Sequence, residues 1–233
     1  MAQLPFKSAL IVGAGSGLSA SLARLLARNG LAVSLAARNA AKLGSLCEET
    51  GATAFACDAQ DQDQVARLFD AVDRRQGPPD VVIYNPSARS RGPLATLDPE
   101  DVRQALMVTA FGAFLVAQRA VASMLTRGSG AILFTGASAS VKGYAESAPF
   151  AMGKFALRGL AQSMARELAP KGIHVAHFVI DGAIRGPAHG EPAGHPDSTL
   201  EPDAIAQTYL HVLMQRRSAW TWEVELRPWV ERF

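Results

Sequence analysis

The stretch Ala9-Leu-Ile-Val-Gly-Ala-Gly-Ser-Gly-Leu-Ser19 decides the fold. Its first four residues are apolar and predict a buried strand, and its glycines predict a tight turn. The residues that follow predict a helix with one apolar face, formed by Leu18, Leu22, Leu25 and Leu26. A glycine turn between a strand and a helix lets the backbone approach a pyrophosphate at the helix N-terminus. The stretch therefore predicts a dinucleotide-binding turn, although Leu18 replaces the third glycine of G-x-G-x-x-G; a turn needed only for packing is the alternative.

Strand-like and helix-like segments alternate along the rest of the chain. The predicted strands are residues 9–12, 31–37, 53–57, 80–84, 131–135, 173–180 and 223–226. Strands separated by helices of this length predict βαβ units and a parallel sheet. We expect one doubly wound, Rossmann-type α/β domain over residues 1–233, with a mostly parallel seven-stranded sheet and helices on both faces.

Helix boundaries are predicted from capping residues. Asp98-Pro99-Glu100 has the cap, proline and acidic residue that begin a helix, which we expect to continue to about Arg127. Asn39 is expected to cap an earlier helix. Further helices are predicted over residues 150–168 and 202–215, with a Gly-, Pro- and His-rich loop between residues 182 and 200.

Composition excludes several classes of protein. Of 233 residues, 48% are hydrophobic, and 23 basic residues face 21 acidic ones, which excludes disorder and argues against a nucleic-acid partner. Cys47 and Cys57 form no CxxC pair, and neither a signal peptide nor a membrane-length apolar run is seen, so a cytoplasmic protein is expected. His174 and His177 would point to opposite faces of a strand, so no metal site is expected. A G-x-S-x-G elbow is absent, which argues against a serine hydrolase.

The end of the second predicted strand indicates which nicotinamide cofactor is bound. NAD sites carry an acid there for the ribose hydroxyls, whereas a cation accommodates the 2′-phosphate of NADP. The sequence reads Ala36-Ala-Arg-Asn39, with no acid. Arg38 therefore favours NADP(H), with NAD(H) possible; a solvated surface arginine is the alternative.

Taken together, these motifs resemble the short-chain dehydrogenase/reductase superfamily over nearly the whole chain. Further matches are Asp58 after the third strand, a degenerate Asn85-Pro-Ser-Ala88 after the fourth, and Asp181-Gly182 after the sixth. The resemblance implies a Rossmann fold, an oxidoreductase and a nicotinamide cofactor. The cofactor-binding residues that it implies are Gly13, Gly15, Ser16, Gly17, Leu18, Arg38, Asp58, Asn85, Lys154, Gly182 and Ile184.

The resemblance also implies a Ser-Tyr-Lys catalytic site, from which this chain departs. The family's Y-x-x-x-K reads Phe150-Ala-Met-Gly-Lys154, so the lysine is present and the phenol is missing. The family's serine spacing falls on Ala137, which leaves Ser138 as the expected hydroxyl and Ser140 as its alternative. Each of these serines could instead be an ordinary turn residue.

Other groups are candidates for the missing proton donor. Tyr144 lies upstream of the helix and is the first candidate, with an ordinary loop tyrosine as the alternative. His189 and His195 in the 182–200 loop, which covers the substrate in the family, and Glu146 are weaker candidates. Thr109 stands where the family has a proton-relay asparagine.

Two functions from different classes follow. The first is an atypical NADP(H)-dependent oxidoreductase that acts on a small carbonyl, an alcohol or a conjugated C=C bond. The second is a cofactor-binding pseudoenzyme, used as a sensor or a partner subunit. The resemblance further implies a homodimer or homotetramer built on helices 98–127 and 150–168.

Overall fold

The structure, a computed structural model, describes residues 4–186 and 189–231. Seven parallel strands form one sheet in the order β3-β2-β1-β4-β5-β6-β7. The strands are β1 Ser8–Val12, β2 Ala32–Ala37, β3 Thr53–Ala56, β4 Val81–Tyr84, β5 Gly130–Thr135, β6 Ile173–Ile180 and β7 Glu223–Leu226. The predicted seven-stranded α/β fold is confirmed, and each observed strand lies within one or two residues of its predicted range.

Helices cover both faces of the sheet. They are α1 Leu18–Arg28, α2 Gly44–Thr50, α3 Gln62–Gln76, α4 Pro99–Leu106, α5 Gly112–Arg127, α6 Ala148–Leu168 and α7 Pro202–Leu213. Leucines of α1 and α2 pack with α7 in one hydrophobic core, and α3, α5 and α6 form the core on the opposite face. The predicted two-faced covering is therefore observed.

The strand order reverses between β1 and β4. After β1 and after β4 the polypeptide continues in opposite directions along the sheet, and this divergence opens a crevice at the carboxyl edge. Ligands bind in this crevice in doubly wound folds. The Asn85 amide donates to the carbonyl of Val12, 2.9 Å away, so the loop after β4 starts beside the turn after β1.

The helix expected from residue 98 to about residue 127 is confirmed, since the chain is helical over Pro99–Arg127. Asp98 caps α4 as predicted, its Oδ1 accepting the Glu100 amide at 2.8 Å. A π turn over Met107–Phe111 joins α4 to α5. The sequence did not predict this turn, because a π turn keeps the chain helical while it adds one residue to a turn, and apolar spacing does not reveal that.

The Pro99–Arg127 stretch is long and apolar enough to pass a test for a membrane span that considers length and composition only. Its α5 part packs with α3 in a core of the fold, and α4 packs against α6. These contacts are those of a core helix in a globular domain.

Two smaller predictions also need correction. Asn39 makes no capping hydrogen bond; a short 3₁₀ turn over Ala40–Leu43 follows it, and α2 begins only at Gly44. The last helix ends at Leu213, two residues before its predicted end.

The 182–200 loop is held by one arginine in its described part. Arg185 donates to Glu191 at 2.7 Å and to the Thr199 hydroxyl at 3.2 Å. Ile184 also pairs with Leu200 through an isolated parallel β-bridge of the backbone. The loop therefore folds back on itself beside the carboxyl edge of β6.

Candidate active site

A cleft of about 790 Å³ follows the carboxyl edge of β1, β2, β3 and β4. Its lining comes from the glycine turn, the ends of β2 and β3, and the loop after β4. Among the predicted cofactor-binding residues, those that line it are Gly13, Gly15, Ser16, Arg38, Asp58 and Asn85. The shape and position fit an extended dinucleotide.

The glycine turn has the geometry that a pyrophosphate requires. Gly13 has φ +81°, and a Cβ there would lie 2.6 Å from the nitrogen of Pro86, so glycine is needed. Open space surrounds Gly15 and Gly17, where an added Cβ would meet no atom within 4 Å. Helix α1 then begins at Leu18 with no side-chain cap and no acid in its first turn. Its positive end is therefore available to an anion.

Leu18 contributes to the site differently from the other predicted residues. Its side chain is buried in the hydrophobic core, 4% exposed, so it does not line the cleft. As the first residue of α1, it offers a backbone amide at the helix N-terminus.

Ser19 joins the glycine turn to the loop after β4. Its hydroxyl donates to the carbonyl of Gly13 at 3.1 Å and accepts from the side-chain amide of Asn85 at 2.6 Å. Asn85 therefore lines the cleft, but its amide nitrogen is engaged in holding the turn. This role was not part of the sequence prediction for Asn85.

The far end of the cleft is basic. Arg38 is exposed, and Lys42 and Ser45 line the same region. Sequence reasoning missed Lys42 and Ser45, whose signal is their position in the turn and helix directly after β2. Asp58 lies at the end of β3 and accepts hydrogen bonds from the amide and side chain of Gln60.

Lys154 is the buried cation of the candidate catalytic segment. It lies on α6, is 2% exposed, and donates from Nζ to the carbonyl of Thr135 at 2.7 Å. Burial, followed by the positive charge of Arg89, lowers the pKa of Lys154 to about 7. Its Nζ lies 5.9 Å from the centroid of the Phe150 ring, one helical turn earlier, so the two predicted residues share a face.

Arg89 is a residue of the site that the sequence prediction did not include. Its guanidinium carbon lies 4.1 Å from the centroid of the Phe150 ring, on the loop that follows β4. The available signal was its position directly after Asn85-Pro-Ser-Ala88.

The two candidate serines differ in their surroundings. The Ser140 side chain is fully buried, and its hydroxyl accepts the Ala137 amide at 3.1 Å, so the alternative that placed Ser140 in the pocket is corrected. Its hydroxyl closes the short 3₁₀ turn over Ser138–Ser140 instead. Ser138 is partly exposed at the start of this turn and stays the predicted hydroxyl.

The candidate proton donors have exposed side chains. The Tyr144 ring is 46% exposed and lies beside Lys142, whose Nζ is 5.9 Å from its centroid. Glu146, His189 and His195 are also exposed.

Two predicted residues lie at the end of β6, outside the lining of the cleft. A Cβ on Gly182, which has φ +150°, would lie 2.8 Å from Cδ of Pro228. Ile184 is partly buried against the core. Asp181, just before them, is buried and paired with Lys142 at 3.3 Å and Arg227 at 3.6 Å.

A partly buried cluster supports helix α6 from the β7 side. Arg158 donates two hydrogen bonds to Glu223, at 2.6 and 2.8 Å, and the same carboxylate lies 3.1 Å from Nδ1 of His177. Burial lowers the pKa of His177 to about 4, against the opposing effect of Glu223. This cluster fixes α6, and with it Phe150 and Lys154, to the sheet.

The two histidines of the H-x-x-H pattern have different partners. His174 stacks on Trp220 and bonds to the carbonyl of Thr221, whereas His177 faces Glu223. Within residues 4–186 and 189–231, no three His, Cys, Asp or Glu side chains form a group that could hold a metal ion.

Comparisons with known proteins show which family the chain is similar to. The family described as short chain dehydrogenase matches residues 7–188. The chain belongs to the short-chain dehydrogenase/reductase family. Members of this family are oxidoreductases of the Rossmann type that use a nicotinamide cofactor. A relative, the 3-oxoacyl-[acyl-carrier-protein] reductase MabA of Mycobacterium tuberculosis, is 31% identical over 185 residues, which are 78% of this chain and 72% of that protein.

Solved structures of the family superpose over nearly the whole chain. A short-chain dehydrogenase from Rhodopseudomonas palustris shares 34% identity, with a TM-score of 0.83 over 96% of this chain and 99% of that one. A metagenomic short-chain oxidoreductase in complex with NADP shares 26% identity, with a TM-score of 0.85 over 99% of this chain and 100% of that one.

The lowered pKa of Lys154 predicts how stability depends on pH. In the unfolded chain this lysine keeps its proton to about pH 10, whereas in the folded, cofactor-free protein it loses the proton near pH 7. The unfolded state therefore binds more protons between these values, and the free energy of unfolding rises with pH there. Relative to Lys154→Met, we expect the wild-type protein to gain about 2–4 kcal/mol between pH 6.5 and pH 9.5. Urea denaturation of both proteins measures the difference; parallel pH profiles would contradict the prediction.

Proposed function

We propose that this protein is an atypical NADP(H)-dependent oxidoreductase that transfers hydride to or from a small carbonyl, an alcohol or a conjugated C=C bond without a tyrosine acid. The observation that carries the proposal is Lys154, buried at the family's position with Phe150 one turn away, in a chain whose glycine turn, Arg38 and Asp58 line a cleft of about 790 Å³. When bound, the nicotinamide supplies the hydride. The residues of this chain bind and orient it and handle the proton.

The preference for NADP(H) is supported by charge. Arg38 and Lys42 line the end of the cleft nearest β2, where the 2′-phosphate is expected. The NADP in the metagenomic relative and the 5-hydroxy-NADP in an alcohol dehydrogenase from Thermococcus sibiricus are consistent with this choice. NAD(H) stays a weaker possibility.

The chain's own groups suggest how the proton is handled. Phe150 has no proton to give, and losing a general acid costs about 10²–10⁴-fold in rate. Ser138 is proposed to donate a hydrogen bond to the reacting oxygen. Lys154, with a pKa of about 7, exchanges its proton near neutral pH and is proposed to orient the nicotinamide ribose, as the family resemblance implies. Conjugated C=C substrates tolerate the missing phenol best, since water can protonate the carbon after hydride addition.

The second candidate is a cofactor-binding pseudoenzyme that serves as a sensor or a partner subunit. Phe150 favours it, because the cofactor cleft is kept while the acid is lost. For either function we propose a cytoplasmic protein that acts on small molecules, and not on a nucleic acid or a membrane.

Reduction assays separate the two candidates. We expect the purified protein to oxidise NADPH in the presence of at least one member of a panel of ketones, aldehydes and enones. The Phe150→Tyr variant should reduce carbonyls about 10- to 1,000-fold faster, because it restores the acid. Absorbance at the NADPH band measures both rates, and Phe155→Tyr, on the exposed face of α6, is the matched control. NADPH binding without reduction by either protein would support the pseudoenzyme.

Arg38 is the test of cofactor preference. Arg38→Ala should weaken NADPH binding about 10- to 100-fold and NADH binding about 2-fold or less, since only NADPH carries the 2′-phosphate. Fluorescence titration of both cofactors gives the dissociation constants. Arg28→Ala, an exposed arginine at the far end of α1, controls for the general loss of charge. Equal losses for both cofactors in Arg38→Ala would contradict the assignment.

We also propose that the protein forms a homodimer or homotetramer through α4, α5 and α6. Phe111, Phe114, Met152 and Phe155 are large apolar side chains that are 41–49% exposed on this part of the surface. Such exposed apolar side chains are typical of an interface.

Charge on this face should dissociate the oligomer. We expect Phe155→Glu to produce a smaller species in sedimentation velocity, because a carboxylate would be buried between copies. Met214→Glu, at the end of α7, is the matched control and should leave the mass unchanged. A wild-type monomer would refute the proposal.

A further inference from the structure

Arg89 is held in place by the backbone on either side of it. The Ala88 amide donates to the Thr109 hydroxyl at 3.2 Å, and the Gly92 amide donates to the carbonyl of Glu146 at 3.1 Å. Thr109 belongs to the π turn, so the distortion of that helix places its hydroxyl under the loop. The loop that carries Arg89 is therefore anchored at one end to the π turn and at the other to the loop that precedes α6.

The guanidinium of Arg89 lies over an aromatic ring. Its central carbon is 4.1 Å from the centroid of Phe150, a distance at which the cation and the ring attract. The N–H groups of a guanidinium form a planar fork, which binds a carboxylate in two parallel hydrogen bonds.

The charge around Arg89 is uncompensated. In the described part of the chain, no side chain or carbonyl accepts a hydrogen bond from Arg89, and no carboxylate pairs with it. Arg89 as a whole is exposed, but desolvation of its guanidinium against neighbouring atoms, and then the charge of Arg91, lower its pKa, and Arg89 in turn lowers the pKa of Lys154. Two cations therefore converge on the Phe150 ring with no anion between them.

We infer that Arg89 binds the carboxylate of the substrate, which makes the substrate an oxo acid or the corresponding hydroxy acid. The inference rests on the proposed function, because it names the class of molecule that the same site reduces or oxidises. A carboxylate on Arg89 forms charge-assisted hydrogen bonds and relieves its repulsion with Lys154. It also anchors the substrate above the ring that replaces the tyrosine.

A binding role for Arg89 differs from a catalytic one. Even with a lowered pKa, a guanidinium keeps its proton near neutral pH, so it does not replace the phenol as an acid. The competing role is a hydrogen bond from Arg89 to the reacting carbonyl oxygen. Acid and ester forms of one substrate distinguish these roles, since the ester keeps the carbonyl and loses the charge.

The experiment compares 2-, 3- and 4-oxo acids with their methyl esters, using pyruvate, acetoacetate and levulinate as probes with NADPH. We expect the wild-type protein to prefer at least one acid over its ester. Arg89→Gln should raise KM for that acid about 10- to 100-fold and change the kcat/KM of the ester less than about 3-fold. Arg89→Lys should restore part of the affinity. Arg91→Gln removes a charge two residues away and should leave KM and kcat/KM unchanged for both the acid and the ester.

A second measurement separates failure of this inference from failure of the proposed function. Calorimetry on the NADP⁺-loaded protein follows binding of the same acids without any reaction. If no probe is reduced but an acid binds to wild type and not to Arg89→Gln, the carboxylate site stands and the oxidoreductase proposal falls. The inference is wrong if every ester matches its acid in both kcat/KM and binding affinity. It is also wrong if Arg89→Gln lowers these values equally for the acid and the ester. Melting temperatures of the variants confirm that each is folded.

Discussion

The hydroxyl of Ser19 is the contact on which the geometry of the candidate site depends. It accepts a hydrogen bond from Asn85 and donates one to the carbonyl of Gly13, so it links the first turn of the chain to the loop after β4. The two segments leave neighbouring strands at the point where the strand order reverses. Without this side-chain link, the backbone hydrogen bond from Asn85 to Val12 would hold only the start of the two segments together. With it, the phosphate-binding turn and the loop that carries Arg89 form two walls of a single site.

The electrostatics of the site follow from burial. Lys154 is removed from solvent and donates to the carbonyl of Thr135 at 2.7 Å, and this burial favours its neutral form. Repulsion by the charge of Arg89 lowers the pKa of Lys154 further. Phe150 lies beside both cations and offers them only the face of its ring. A tyrosine would have given the lysine a phenol oxygen to stabilise. Here the positive charge has no such partner, and its effect is to attract an external anion.

How much of this was predictable depends on the range of the interactions. The strands, the glycine turn, Arg38 and Lys154 were predictable because apolar periodicity and short motifs record local geometry. The contact between Arg89 and Phe150 was not, since it joins the loop after β4 to helix α6, two elements that are far apart in the sequence. The sequence did not predict the π turn at Met107–Phe111 or the burial of the Ser140 hydroxyl, for a different reason. Each depends on a one-residue displacement or a single hydrogen bond that leaves the sequence pattern unchanged.

The cluster of Arg158, Glu223 and His177 has a consequence for the order of folding. Glu223 lies on β7, far along the chain from α6, yet its carboxylate is what Arg158 and His177 share. During synthesis, the helix that carries Phe150 and Lys154 is complete long before its anchor leaves the ribosome. Until then Arg158 and His177 lack the carboxylate that they share in the complete fold. We therefore expect the nascent site to reach its final shape only when the seventh strand docks.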